Sequence, residues 1–101
     1  MEITFDPVKR EWILRERGLD FADATAVFAG RTFTFEDDRF DYPEIRFVTV
    51  GLLAGRMIVL VWTPDPSVAA YEGRRVISMR KANAREQARY SQRLGEAGRN
   101  D

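Results

Sequence analysis

The residues that could carry out chemistry are concentrated in one basic segment at positions 74–81. Its charged and polar side chains are Arg74, Arg75, Ser78, Arg80 and Lys81. Arginine binds phosphate through a planar fork and stays charged at physiological pH. Arg80 and Lys81 also fall where a predicted strand gives way to a predicted helix, whose first amides attract anions. The segment therefore predicts a phosphate site, although a basic strand edge that discourages aggregation would have the same composition.

Five further groups could hold charge or transfer protons: Lys9, Glu44, Arg46, Glu86 and Tyr90. Glu86 and Tyr90 lie four residues apart, so they share a face of any helix that contains them. Glu86 could instead form a salt bridge with Arg89 or Arg93, and Tyr90 could be a packing residue. A lysine could act as a base only where burial or neighbouring cations lower its pKa from about 10.4.

The composition excludes several kinds of site. The chain has 101 residues and is predicted to form one domain over residues 1–94, with a flexible tail at 95–101. It contains no cysteine and no histidine, which excludes disulfides, thiolate metal sites and histidine catalysis. We expect no metal and no cofactor. No apolar run could span a membrane and the first residues lack a signal-like core, so a cytoplasmic location is expected.

Charge is unevenly distributed along the chain although the net charge is zero. Residues 1–73 contain 8 basic and 13 acidic residues, whereas residues 74–101 contain 8 basic and 3 acidic residues. Arginine accounts for 14 of the 16 basic residues. Such a region suits a nucleic acid or an acidic protein as partner. A solvated helix face would explain the charge equally well.

Residue patterns predict an α+β domain that positions these groups, with the element order β-αα-β-β-β-β-α. A short N-terminal strand and a helical hairpin come first. A mainly antiparallel sheet of about four strands and a C-terminal helix follow. The predicted segments are a strand at 3–5, helices at 7–17 and 21–29, strands at 32–35, 47–52, 57–62 and 75–79, and a helix at 82–94. An exposed loop is predicted at 36–44, a turn at Ala54-Gly55 and a further loop at 67–73.

Three details of this prediction can be tested directly against a structure. Asp6 and Asp20 are typical of helix starts, and Gly18 and Gly30 of helix ends. The residues expected in the core of the helical hairpin are Trp12, Phe21 and Phe28. Because alternate residues of a strand share a face, the last strand is predicted to carry Val76, Ser78 and Arg80 on one face and Arg75, Ile77 and Met79 on the other.

Three stretches of the sequence carry motifs that occur together in one family. The first is F-D-P-V-K at 5–9, followed by G-L-D-F-A-D-A-T-A-V-F at 18–28. The second is E-I-R-F-V-T-V-G at 44–51, and the third is R-V-I-S-M-R-K-A-N-A-R-E-Q-A-R-Y at 75–90. In this order the stretches resemble the BrnT family, the toxins of bacterial BrnT/BrnA type II toxin–antitoxin systems.

The resemblance implies a fold similar to that of the RelE and ParE toxins. It also implies a small ribonuclease that blocks translation and is neutralised by a BrnA-like antitoxin. The antitoxin would carry the DNA-binding domain, so that the toxin meets operator DNA only through its partner. No membrane partner is expected.

The main hypothesis is metal-independent cleavage of RNA by its own 2′-hydroxyl, with the protein stabilising negative charge in the transition state. Arg75 and Arg80 are expected to hold the phosphate charge, with Arg46 assisting. Proton transfer is expected from among the groups that match family motifs: Lys9, Glu44, Glu86 and Tyr90. Contacts to the rest of the RNA are expected from Arg74, Ser78, Lys81 and Arg85.

Two alternatives stay open at this point. The family often has Asn, and then Lys-His-Gly, where this chain has Ile13 and Glu16-Arg17-Gly18. These departures motivate the hypothesis that the chain is not catalytic and is instead a protein-interaction or co-repressor module. A generic nucleic-acid binder that uses the arginines of residues 74–93 is the other alternative, and its affinity should fall steeply with salt.

Overall fold

Five strands and three helices make up the part of the chain that a computed structural model describes, residues 1–68 and 72–97. The strands are β1 (Glu2–Thr4), β2 (Thr32–Glu36), β3 (Phe47–Leu53), β4 (Arg56–Pro64) and β5 (Gly73–Lys81). The helices are α1 (Pro7–Arg17), α2 (Ala24–Ala29) and α3 (Ala84–Ala97), with a 3-10 turn at Phe21–Asp23 before α2. The α+β class and the predicted element order are therefore confirmed.

All five strands form one sheet in the order β1-β5-β4-β3-β2. The last four strands pair antiparallel with their neighbours, as predicted. The N-terminal strand joins them at the edge and runs parallel to β5, with Glu2 opposite Gly73. The sheet is therefore mixed. The first residues of the chain lie beside the basic segment from which the sequence predicted a phosphate site.

Local signals explain where α1 begins and ends. The Asp6 carboxylate accepts a hydrogen bond from the Val8 amide, and Pro7 occupies the first turn. Gly18 adopts a left-handed conformation with φ 69° and donates its amide to the Leu14 carbonyl. The Arg17 side chain donates to the Met79 carbonyl at 3.1 Å, which ties the end of α1 to β5.

The hairpin of β3 and β4 closes through a two-residue turn. Ala54 has φ 51° and Gly55 has φ 78°, and a positive φ at both positions is the geometry that matches the twist of the flanking strands. The predicted turn at Ala54-Gly55 is thus confirmed. The resulting strands are apolar on both faces because the sheet is covered on both sides.

Helices α1 and α2 cover one face of the sheet and seal it. The cluster on this face consists of Ile13, Leu19, Phe21, Ala24, Val27, Ile58, Leu60, Val76 and Met79, each at most 6% exposed. Phe21 is in the core as predicted, and Phe28 packs at its margin. The prediction for Trp12 is wrong, because α1 turns Ile13 toward the sheet. Trp12 is 45% exposed and stacks against the Arg17 guanidinium instead.

The predicted alternation of side chains along β5 is wrong at one residue, because the strand contains a β-bulge. Val61 pairs with Ser78 but Trp62 pairs with Val76, so Ile77 is an extra residue on β5. Because of this extra residue, the side chains of Val76 and Met79 lie on the same face of the sheet, and both belong to the core beneath α1 and α2. The residues at 77, 78 and 80 line a cavity on the opposite face.

Helix α3 covers part of that opposite face. It begins two residues later than predicted because Asn83 and Glu86 form a reciprocal capping box. It continues to Ala97, three residues past the predicted end, and the rest of the predicted tail lies outside the described residues. Within the predicted loop at 67–73, residues 69–71 also lie outside them. Among the described helices, none is both long and apolar enough to cross a membrane.

Candidate functional site

An open cavity of about 590 Å³ lies between α3, the sheet and the loop that joins β2 to β3. Five of the predicted site residues line it: Arg46, Ser78, Arg80, Glu86 and Tyr90. Six further lining residues carry charge or a hydroxyl and were not predicted as site residues: Glu36, Asp37, Asp38, Arg39, Tyr42 and Arg89. The structure thus brings together side chains from β2, β5, α3 and the loop between β2 and β3.

The Arg80–Glu86 pair forms one wall of the cavity. The Arg80 guanidinium donates to both Glu86 carboxylate oxygens, at 2.6 and 2.7 Å. These bonds, opposed by burial, lower the pKa of Glu86 to about 2. The same carboxylate accepts the Asn83 amide at the start of α3. Glu86 is therefore an ionised structural partner at neutral pH, rather than a group ready to accept a proton.

The ring of Tyr90 lines the cavity one helical turn after Glu86 on α3. It stacks on Phe35 at a centroid distance of 6.1 Å and lies equally close to Phe33. The sequence left open whether Tyr90 packs or does chemistry, and the structure shows that the ring packs while the residue also lines the cavity. Arg89, a neighbouring lining residue, is exposed.

A second group of predicted residues meets around Glu44, next to the cavity. Glu44 Oε1 accepts from Arg46 Nη2 at 3.4 Å and from Arg75 Nη2 at 3.3 Å. The Arg46 guanidinium also lies 4.1 Å from the centre of the Tyr42 ring. Its Nε is buried and has no hydrogen-bond acceptor among the described residues. Because Arg46 also lines the cavity, it joins the two groups.

Lys9 faces this second group from α1. Burial lowers its pKa from the ordinary 10.5, and the positive charges of Arg46 and Arg17 lower it further. Asp6 opposes the shift, and Arg75 adds to it. Burial and neighbouring positive charge thus both act on Lys9 in the direction that favours its neutral form.

The structure places three of the expected RNA contacts away from the cavity. Arg74 lies on the sealed face, where its guanidinium is 4.6 Å from the Phe28 ring centre and 4.2 Å from that of Trp62. Lys81 is exposed and borders a separate cavity near the β3–β4 turn. Arg85 is exposed on α3. Their roles stay predictions, but the described geometry does not gather them with the other site residues.

The loop from β2 to β3 is the part of the site that the sequence did not identify. Its prediction as exposed is wrong for Asp37, which is 5% exposed. The Asp37 carboxylate accepts two bonds from Arg39, at 2.8 and 3.1 Å, and one from the Tyr42 hydroxyl at 3.1 Å. The only sequence feature that could have indicated a buried residue in this loop is an aromatic side chain within an acidic, polar stretch.

The arrangement suits an anion more than a cation. No group of three or more carboxylates close enough to hold a metal ion occurs in residues 1–68 and 72–97. Three arginines instead lie at the cavity and its margin: Arg46, Arg75 and Arg80. The positive charges of Arg46 and Arg75 also act on Lys9 of α1. Guanidinium groups bind phosphate and carboxylate anions through paired hydrogen bonds.

Comparison with known sequences gives this geometry a context. No curated protein matches the chain. A protein family does match over residues 5–86, and it is described as the ribonuclease toxin, BrnT, of type II toxin–antitoxin systems. The matched segment covers most of the chain and contains both Lys9 and Glu86, whereas Tyr90 lies beyond it. The chain therefore belongs to the BrnT family of ribonuclease toxins.

Proposed function

We propose that this chain is an endoribonuclease toxin that cleaves RNA without a metal ion and thereby inhibits translation. The observation that carries the proposal is the meeting of Arg46 and Arg75 on Glu44 at the margin of an open cavity, with Lys9 near enough for both arginine charges to lower its pKa. The cluster combines a candidate proton acceptor with cations for a phosphate. Access to RNA places the proposed activity in the cytoplasm.

In the proposed reaction the RNA supplies its own nucleophile. Neutral Lys9 takes the proton from a 2′-hydroxyl, whose oxygen forms a bond to the adjacent phosphorus. The bond from phosphorus to the 5′-oxygen breaks, and that oxygen takes a proton from the Tyr90 hydroxyl. The products are a 2′,3′-cyclic phosphate and a free 5′-hydroxyl, and the two protein groups return to their starting states through water.

The arginines divide into two roles in this proposal. Arg46 and Arg75 hold the phosphate charge, since each has only one long hydrogen bond to Glu44 to give up. Arg80 is less available than the sequence suggested, because both of its terminal nitrogens donate to Glu86. Arg80 and Glu86 therefore form a fixed charged wall that orients the strand of RNA along the cavity.

The decisive experiment is induced expression in a bacterium that lacks the antitoxin, with growth recorded and RNA 5′ ends mapped. The parent should arrest growth and produce new 5′-hydroxyl ends. Lys9→Met should lose at least about 100-fold of the activity, the range expected for a general base. Arg15→Met, an exposed position on the same helix, is the matched control and should behave as the parent.

Two results would contradict this assignment. Cleavage by soluble, folded Lys9→Met at the parent's rate would remove Lys9 from the reaction. Loss of cleavage by the purified chain in EDTA, restored by a divalent metal, would show that the reaction needs a metal ion.

A protein antitoxin is the partner implied by a type II system, and we propose one similar to BrnA. An acidic amphipathic helix would suit the basic segment at 75–90, and by covering the cavity it would block RNA. Hydrogen exchange of the complex should then slow along β5 and α3. A complex in which residues 75–90 exchange as fast as in the free chain would contradict this mode of inhibition.

The alternative is a non-catalytic interaction module, motivated by the departures from the family pattern. Of these positions, Ile13 is 1% exposed in the core, Glu16 is exposed, and Arg17 donates to the Met79 carbonyl. They therefore lie in the packing of α1, with Arg17 contributing to the lowered pKa of Lys9. Tight antitoxin binding without growth arrest or RNA cleavage would favour this alternative.

A further inference from the structure

The loop that joins β2 to β3 contains a buried carboxylate for which the proposed reaction has no use. Asp37 is 5% exposed, and its carboxylate accepts four hydrogen bonds, three from Arg39 and one from Tyr42. Its backbone amide donates to the Arg46 carbonyl at 2.8 Å, which extends the pairing of β2 and β3 by one step. A buried, fully bonded anion in a surface loop fixes the loop in one conformation.

One of these bonds, from Tyr42, connects Asp37 to Arg46 through a single intervening side chain. The Tyr42 hydroxyl donates to Asp37 Oδ2 at 3.1 Å, and the face of the Tyr42 ring lies 4.1 Å from the Arg46 guanidinium carbon. On its other side the guanidinium meets the Glu44 carboxylate at 3.4 Å. Arg46 is thus held between an aromatic face and a carboxylate, and the aromatic face is itself anchored by Asp37.

This arrangement leaves one donor of Arg46 unused. Its Nε is buried without an acceptor among the described residues. A buried donor that lacks a partner is unfavourable, so the surrounding contacts must hold it in place. Because Nε is buried, the donors that a phosphate can reach are the terminal nitrogens, one of which makes only a 3.4 Å bond to Glu44. Preorganised donors of this kind contribute more to a transition state than donors that must turn.

We propose that Asp37 is a positioning residue, which acts through Tyr42 to hold Arg46 in the orientation that binds the scissile phosphate of RNA. The proposal rests on the proposed ribonuclease activity and names a residue that touches neither the RNA nor the reacting atoms. Arg39, whose side chain is 70% exposed, neutralises Asp37 from the solvent side. It thereby allows an ionised carboxylate to stay buried at neutral pH.

The test is a double-mutant cycle on cleavage of a short labelled RNA by the purified full chain. Asp37→Asn should lower kcat about tenfold and leave KM within about threefold, since the charge of Arg46 remains. In an Arg46→Ala background the same substitution should change kcat less than about twofold, because the group through which it acts is absent. Asp41→Asn, an exposed position in the same loop, is the matched control for lost charge and should keep the parent's kcat.

A spectroscopic measurement reports the orientation of Arg46 without any RNA. The Nε–H signal of Arg46, assigned by its absence in Arg46→Ala, should be shifted by the Tyr42 ring current. Tyr42→Leu should abolish the shift. Tyr42→Phe, which keeps the ring but loses the bond to Asp37, should retain part of it, and Asp37→Asn should reduce it. A role limited to loop stability would lower the melting temperature and leave this signal unchanged in the folded protein.

The outcomes separate this inference from the proposed function. A parent that cleaves RNA, with Asp37→Asn equally harmful in both backgrounds, overturns the positioning role and leaves the ribonuclease intact. An unchanged Arg46 signal in Asp37→Asn, or an equal loss in Asp41→Asn, also overturns it. A parent that cleaves no RNA overturns the proposed function, and the positioning role fails with it even where the signal moves.

Discussion

The two faces of the sheet differ in how completely they are covered. Beneath α1 and α2 the side chains are nearly all inaccessible, with Phe21, Ile58 and Leu60 at 0% exposure. Beneath α3 only one end of the sheet is apolar and covered, around Val50 and Leu94. The other end opens into a cavity lined by charged groups. One face thus provides stability, and the other retains the polar groups that chemistry requires.

The bulge at Ile77 makes this division possible within a single strand. Without it, strict alternation would place Arg80 on the same face as Val76. With it, Val76 and Met79 enter the sealed face, and Ile77, Ser78 and Arg80 face the cavity. Bulges are frequent beside active sites because they redirect side chains without breaking the sheet.

The largest expected effect tests the sealed face through its most buried aromatic residue. Phe21→Ala should lower the free energy of unfolding by about 3–5 kcal/mol, because the substitution leaves a cavity that the neighbouring helices cannot fill. Phe40→Ala is the matched control on the open side, where the ring is 67% exposed, and should change it by less than about 0.5 kcal/mol. Urea denaturation measures both. Equal losses would show that the two faces do not differ as described.

The next largest effect is on kcat, and it tests whether the charge of Arg46 on the open face takes part in cleavage. Arg46→Gln should lower kcat by about 100- to 1,000-fold, the loss typical of one preorganised donor to a developing charge. Its stability should change little. Arg56→Gln, at an exposed position of the β3–β4 turn, is the control and should cleave RNA as the parent does. Equal rates for the two variants would move the phosphate away from Arg46.

A smaller effect concerns the pH at which cleavage reaches its plateau. If neutral Lys9 is the base, the rate rises with pH and levels off below pH 10.5, because the pKa of Lys9 is lowered. Arg17→Gln removes a positive charge that lowers this pKa, so the midpoint should move to higher pH. Asp6→Asn removes a negative charge that raises it, so the midpoint should move to lower pH. Shifts of the same sign would exclude Lys9 as the titrating group.

The smallest effect concerns stability in acid. The pKa of Glu86 is lowered to about 2 in the folded chain. The ionised Glu86 therefore adds to the free energy of unfolding above about pH 4.5, and this stabilisation is lost as the pH falls through 2. The loss should be on the order of 2 kcal/mol. Glu86→Gln should flatten this part of the stability curve, measured by thermal melting from pH 2 to 6. Glu11→Gln, exposed on α1, should leave the curve unchanged.

The sequence predicted the features that depend on local interactions. Asp6 and Gly18 set the ends of α1 through hydrogen bonds within a few residues, and the Ala54-Gly55 turn needs nothing beyond its own backbone. The motif positions likewise include Glu44 and Arg46, which form an ion pair. The similarity to the RelE fold stays a prediction.

Features that depend on distant pairing could not be predicted. The bulge at Ile77 exists because β5 must match β4 across the sheet, and no pattern within β5 indicates it. Side-chain conformation within a loop could not be predicted either: Asp37 is buried because its near neighbours Arg39 and Tyr42 fold back onto it. Arg74 was assigned to RNA from its charge, yet two aromatic rings on the sealed face hold it.

The pairing of β1 with β5 has a consequence for the timing of synthesis. Glu2 lies opposite Gly73, so the edge of the sheet cannot close until about 70 further residues have been made. At about 5–20 residues per second this takes roughly 4–14 s. Lys9 is translated early and Arg75 late, so the proposed catalytic cluster stays unassembled while the ribosome is still making the chain. Ribosome-bound chains that stop before β5 should therefore cleave no RNA, which would protect the message that encodes them.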